Sequence, residues 1–146
     1  MKALNLDALL ILDVYIKEIR SVLELAVPAW HSSLTLKQSA DIERVQRVAL
    51  YIILSDVNTG KSEYTYDMSL VILNLEPLSI RREKLCLTFA KKTVKSRHSD
   101  MFQKRTYMYD TRQVTHAYKE HYSNTQRCYK SPLNYLTRML NEDVSK

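Results

Sequence analysis

Four histidines (His31, His98, His116 and His121) and two cysteines (Cys86 and Cys128) are the side chains best suited to metal or nucleophilic chemistry in this 146-residue chain. Zinc needs four ligands, usually as two close pairs. The cysteines lie 42 positions apart, and no two histidines are spaced i, i+4. A Cys–His pair that meets only in the fold stays open on spacing alone. Cys86, however, sits in an apolar helical stretch, where a thiol packs as a small hydrophobe. Two-metal polymerase or nuclease chemistry requires clustered carboxylates. The acidic residues here are scattered singly, with no adjacent aspartates, and Glu142–Asp143 reads as a solvated acidic end. One glycine, Gly60, cannot build a phosphate-cradling loop. No metal, no cofactor and no enzymatic activity are expected of this chain.

Phosphate binding is the chemistry that remains. Residues 81–130 hold 13 lysines and arginines against four acids, whereas the rest of the chain holds nine against 12. A basic segment on a near-neutral body is the footprint of a phosphate-backbone binder. Tyr107, Tyr109, Tyr118, Tyr122 and Tyr129 are interleaved with the charges, and tyrosine rings can stack on unpaired bases. The candidate nucleic-acid contacts are Arg81, Arg82, Lys84, Lys91, Lys92, Lys95, Arg97, Lys104 and Arg105. The competing reading is a solvated basic helix followed by an arm whose tyrosines dock on protein.

The elements that must position these residues read as helices. Hydrophobic residues make up 45% and charged residues 26%, ordinary for a globular chain, but one glycine and three prolines leave few positions for tight β-turns. The expectation is a mostly α fold. Leu6, Leu9, Leu10, Asp13, Ile16, Arg20 and Leu23 recur at helical spacing over Leu4–Ala26, and Pro28 predicts a kink or an end. Trp30 reads as a core anchor. Thr35 and Gln38 have capping-box spacing before a helix to Leu54, with Ile42, Val45, Ala49 and Ile52 or Ile53 as its apolar stripe and Asp41, Glu43, Arg44 and Arg47 off it. Ser55–Ser62 reads as a loop. A short helix over Thr65–Leu73 precedes a longer one from Leu78 to about Lys95, with Pro77 at its start. That helix should bury Leu78, Leu85, Cys86, Phe89 and Val94, and expose Arg81, Arg82, Lys84, Lys91, Lys92 and Lys95. From Arg97 the periodicity fades. The domain division expected is a helical bundle over 1–96 and a basic, partly irregular extension over 97–146, with one or two helical turns at Leu133–Leu140. No apolar run reaches the roughly 18 residues of a membrane span, and the N-terminus lacks a signal design. With two unpaired cysteines, an intracellular, soluble protein is expected.

Three internal blocks and the C-terminus carry a resemblance. Ile19–Ser32 (Ile19, Arg20, Ser21, Val22, Leu23, Glu24, Leu25, Ala26, Val27, Pro28, Ala29, Trp30, His31, Ser32), Gln38–Leu54 with its Ile42–Glu43–Arg44–Val45–Gln46–Arg47, Leu73–Cys86 and Arg127–Asn141 resemble, in order and spacing, the region after the polymerase core in non-LTR (LINE-type) retrotransposon reverse transcriptases. The resemblance implies a helical thumb, which grips the template–primer backbone in such enzymes, and its C-terminal extension. The family's catalytic aspartates, fingers and palm lie upstream of these blocks and have no counterpart here. Leu25 stands where an aromatic is usual, Pro77 where a polar helix-starter is usual, and Asn134 where a proline is usual. The partner implied is the backbone of an RNA or DNA duplex or hybrid. A different class of function is a helical protein–protein interaction module, self-associating through apolar surface that a polymerase core would cover.

Overall fold

The computed structural model describes residues 8–55, 64–106 and 117–144. The fold is mostly α, and the only β pairing among the described residues is an isolated antiparallel bridge between Lys104 and Tyr118. The helices are α1 (Ala8–Val14), α2 (Arg20–Leu23), α3 (Val27–Trp30), α4 (Leu36–Leu54), α5 (Tyr66–Ile72), α6 (Leu78–Val94), α7 (Gln126–Tyr129) and α8 (Pro132–Val144). A π-helical turn, Tyr15–Ile19, joins α1 to α2, and single 3-10 turns cover His31–Ser33 and Ser99–Met101. The expected start of the first helix and most of the Ser55–Ser62 loop lie outside the described residues.

Two compact units form: residues 1–25 with 35–81, and residues 26–34 with 82–146. This differs from the division expected at residue 96. The boundary falls at Arg81–Arg82 because the segment after residue 97 shares a core with the later part of α6 instead of standing apart.

Unit one packs Tyr15, Leu50, Ile53 and Leu70 together, flanked by Ile11, Leu12, Ile16, Tyr66, Leu73 and Leu75. Each such aliphatic side chain contributes about 1.5–3 kcal/mol on burial. The π turn widens the helix by one residue, so that the Arg20 N–H reaches the Tyr15 carbonyl and Tyr15 is almost fully buried. α4 starts at a complete capping box: Gln38 N–H donates to Thr35 Oγ1 (3.2 Å), and Thr35 N–H donates to Gln38 Oε1 (2.9 Å). α5 is capped by Thr65 and ends in a Schellman turn. There Asn74 takes φ 51°, and Leu75 N–H donates to Leu70 C=O (2.8 Å).

The buried stripe of α4 matches the expected apolar one only in part: Ile53 is buried and Ala49 packs on the core, but Val45 and Ile52 are exposed. Gln46 and Leu50 also face the core, Glu43 is half-buried, and Val48 is exposed. Gln46 is 1% exposed and satisfied on three sides. Its Oε1 accepts from Tyr15 Oη (2.7 Å), and its Nε2 donates to Tyr66 Oη (3.1 Å) and to Glu76 C=O (3.0 Å). Tyr66 in turn donates to Glu43. The Glu43 carboxylate also accepts from the N–H groups of Leu78 (3.0 Å) and Ser79 (3.2 Å), the first residues of α6. A carboxylate on those orphan donors, at the positive end of the helix dipole, fixes where α6 begins.

Unit two is built on Val27, Cys86, Ala90, Phe102, Leu136 and Leu140, with Trp30, Leu85, Val94, Tyr118, Leu133, Tyr135 and Met139 packed around them. Ala26, at φ 51°, turns the chain into α3 ahead of Pro28. The terminal helix is longer than expected, at 13 residues, and amphipathic in an unusual way. One side of α8 offers Leu136 and Leu140 to the core, and another offers buried Asn134 and Asn141 to a loop. Asn141 accepts from Tyr118 N–H (2.9 Å) and donates to Tyr118 C=O (3.1 Å). Asn134 accepts from His121 N–H (3.0 Å) and donates to Cys128 C=O (3.0 Å). Parts of the expected basic, partly irregular extension are thus held by amides from α8 and by the pairing of Gln103–Arg105 with Ala117–Lys119.

Candidate nucleic-acid interface

The nine basic residues singled out in the sequence separate into three groups. Arg82 is not on the exposed side of α6: it is 1% exposed, among the largest buried side chains of the molecule. Adjacent charges at 81, 82 and 84 cannot share one face, because successive residues turn by about 100°. Arg82 follows the i, i+4, i+8 row of Cys86 and Ala90, and so turns inward with them. Phe89, expected inside, is 45% exposed. Arg81 belongs to unit one, where it is half-buried and ion-paired with Glu24, which Arg20 also approaches (3.9 Å).

The second group forms a solvent-facing row. Lys84, Lys91 and Lys95 are seven and four positions apart, which brings them within about 40° of each other on the helix. They lie opposite the buried row Arg82, Cys86, Ala90 and Thr93. Lys92 lies beside them, and all four are exposed. From Lys84 to Lys95 the row spans about 16 Å. Lys91 also reaches Asp143 on α8 (2.8 Å), half-exposed at both ends. Such a pair contributes little to stability, so the lysine can exchange its partner for a phosphate.

Arg97, Lys104 and Arg105 are exposed beyond the end of α6. Lys104 and Arg105 sit on the segment bridged to Tyr118 and Ala117. Lys104, Asp100, Tyr118 and Val94 line one cavity of about 660 Å³, which places this segment beside the last turn of α6. Tyr107 and Tyr109, part of the interleaved aromatics, lie outside the described residues.

Other titratable groups are turned inward. Burial pushes the Cys86 thiol up to about 11, with a smaller contribution from Glu83, so it carries no nucleophilic thiolate at neutral pH. His31 meets Tyr135 edge-on (5.5 Å between ring centroids) and is held below its usual pKa, first by burial and then by the charge of Arg82. Cys128 is exposed. Among the described residues no group of three or more His, Cys, Asp or Glu side chains could hold a metal ion, and no helix is long and apolar enough to cross a membrane.

Two further features are not evident from the sequence. One is a groove of about 530 Å³ in unit one, walled by Val14 and Ile19 on one side and Val45, Val48 and Ile52 on the other. Its trace there is the 45, 48, 52 spacing, which forms an apolar row separate from Leu50 and Ile53. The other is a cationic cavity beside α7, lined by Arg127 and Lys130. No family model, curated protein or solved structure matches this chain significantly.

Proposed function

We propose that unit two holds the sugar–phosphate backbone of an RNA or DNA duplex or hybrid on the outer face of α6, without reading base sequence, and that the chain derives from the region after the polymerase core of a non-LTR reverse transcriptase. The carrying observation is the row Lys84, Lys91 and Lys95 opposite the buried face of α6, with Lys92 beside it. The four sequence blocks described above support the origin. Lysines act as point charges on phosphates and give register rather than specificity. The role is binding, not catalysis.

Four lysines neutralising four phosphates give a slope of log affinity against log salt of about −3 to −4, or about a hundredfold loss between 50 and 200 mM salt. Titrating a labelled duplex across that range tests the reading. Replacing Lys84, Lys92 and Lys95 by glutamine should flatten the slope by about 2 to 3. A parent slope near zero, or one unchanged in the triple variant, sinks it. The origin is tested by the coding sequence upstream of Met1: an open frame with adjacent aspartates would make the chain a fragment of a polymerase, and stop codons there would make it a remnant.

A second reading rests on the unit-one groove. Its walls Val14, Val48 and Ile52 are each about half exposed, which suits an apolar helix from a second copy. Light scattering separates the readings: a monomer with salt-sensitive binding favours the first, and a dimer indifferent to nucleic acid favours the second.

A further inference from the structure

Beside α7, unit two contains a cavity of about 550 Å³ lined by Ser33, Thr125, Arg127, Cys128, Lys130 and Ser131. Two cations and three hydroxyls around one hollow offer charge and hydrogen-bond donors to an anionic group, and the volume is within the range of small-ligand sites. The backbone of a tyrosine adjoins it. Cys128, in the cavity wall, places its Sγ 3.9 Å from the carbonyl of Tyr122. The Tyr122 side chain is 89% exposed, more than any other aromatic ring among the described residues.

The ring projects from a fastened backbone. His121 N–H donates to buried Asn134 (3.0 Å), and the same amide holds the Cys128 carbonyl (3.0 Å). The Arg138 guanidinium covers the Tyr129 ring at 3.8 Å and donates to the Tyr129 carbonyl (3.1 Å), which ties α7 to α8. Tyr129 is therefore occupied, and Tyr122 is the ring that remains open. An exposed ring whose backbone adjoins a cationic hollow can grip an unpaired nucleotide, base on ring and phosphate among the cations.

We propose that Tyr122 and the Arg127–Lys130 cavity form a subsite for a single-stranded nucleotide, separate from the α6 row and different in ligand. The base stacks on Tyr122, and its phosphodiester sits between Arg127 and Lys130, with Thr125 and Ser131 at the rim. The subsite tolerates any base, because each has a π face.

The test uses the full chain with a fluorescein-labelled oligothymidylate, a hairpin duplex and a phosphoserine peptide as probes. Tyr122→Ala should weaken oligothymidylate binding about tenfold, as expected for one lost stacking contact, and leave the duplex unaffected. Tyr122→Phe keeps the ring and should bind as the parent does. Arg127→Gln with Lys130→Gln should weaken the oligonucleotide and reduce its salt slope by about one. These sites are exposed, and unchanged circular dichroism confirms that each variant folds. A loss below threefold for Tyr122→Ala overturns the subsite. So does a phosphoserine peptide that binds as tightly as the oligonucleotide. In the Lys84, Lys92, Lys95 glutamine variant the Tyr122 dependence should persist, even if duplex binding was absent from the start; its disappearance there also overturns the subsite. Loss of duplex binding alone bears on the α6 reading.

Discussion

Replacing Gln46 by alanine removes the hub of unit one. The side chain is 1% exposed and makes three hydrogen bonds, to Tyr15, Tyr66 and the Glu76 carbonyl. Each is worth about 1 kcal/mol net, and each buried partner left without a mate costs about 1–3 kcal/mol. Tyr15 is itself 1% exposed and cannot turn to water. Tyr66 keeps Glu43 as its acceptor, which limits its loss. Adding the vacated volume, the expected destabilisation is about 3–5 kcal/mol, a large part of the stability of a domain this size. Tyr15→Phe, which removes one of the three bonds, should cost about 1–2 kcal/mol, and the two changes should be non-additive because they share a bond. Urea unfolding followed by far-UV circular dichroism measures this. At an m-value of about 2 kcal/mol/M the midpoint of Gln46→Ala falls by roughly 1.5–2.5 M. Trp30, the sole tryptophan, lies in unit two, and its fluorescence reports on that unit. A shift corresponding to less than about 1 kcal/mol would refute the hub reasoning, since such a value is ordinary for a surface site.

Other outcomes follow from single features. Ala26 sits at φ 51°, so Ala26→Gly should stabilise the fold by about 0.5–1 kcal/mol in the same urea assay, and no gain would mean that the turn is not strained. Burial raises Tyr15 from 10.0 to about 12; a tyrosine raised in the folded state stabilises fully below pH 10 and loses that contribution between pH 10 and 12, so unit one should weaken by about 2 kcal/mol across that window, and Tyr15→Phe should flatten the loss. His31 is lowered from 6.5, so its contribution is present above that pH and declines as pH falls below it; His31→Gln should remove this acid dependence from the Trp30 fluorescence melt. Arg82→Gln should leave the salt slope of duplex binding unchanged where Lys95→Gln reduces it by about one, because Arg82 is shielded from solvent. Asn134→Ala should cost about 2–3 kcal/mol and abolish hydrogen-exchange protection at the His121 amide, whose acceptor it removes.

Where the backbone's own signals speak, the sequence is legible. Thr35 and Gln38 start α4 where the capping box puts them, and α4 ends at Leu54 as its periodicity indicates. Thr65 caps α5, and α6 runs Leu78–Val94 against an expected end near Lys95. These are local effects, carried by residues three or four apart. On α4, apolar periodicity finds Ile53 and Ala49 but also takes Val45 and Ile52 for core, whereas the buried positions include Gln46 and half-buried Glu43. An amide is core-compatible only if partners 20 and 31 positions away, Tyr66 and Tyr15, are known to meet it. The position of Arg82 escapes the pattern for a simpler reason, since its charge points to solvent while its helical angle matches Cys86 and Ala90. Of the candidate site, the α6 lysines and their common face were legible. Tyr122 is legible as one of the interleaved tyrosines, but its grouping with Arg127 and Lys130 is not, because the amide bonds of Asn134 hold that loop in place.

The failures share a cause in the composition. A chain with one glycine has few tight turns with which to satisfy its own loop backbone, and a loop's N–H and C=O groups must still find partners when buried. Here helices supply them sideways. Gln46 takes the Glu76 carbonyl, Glu43 the N–H groups of Leu78 and Ser79, Asn134 the His121 N–H and Cys128 carbonyl, and Asn141 both backbone groups of Tyr118. Each polar side chain occupies a helix position that a simple pattern would assign to leucine or to solvent. Loop conformation is consequently written in helix residues far away in sequence. A leucine at Asn134 or Asn141 would improve the apolar pattern of α8 and take away the acceptor of the His121 N–H or the partner of both backbone groups of Tyr118. By this reasoning the more hydrophobic helix belongs to the less stable protein.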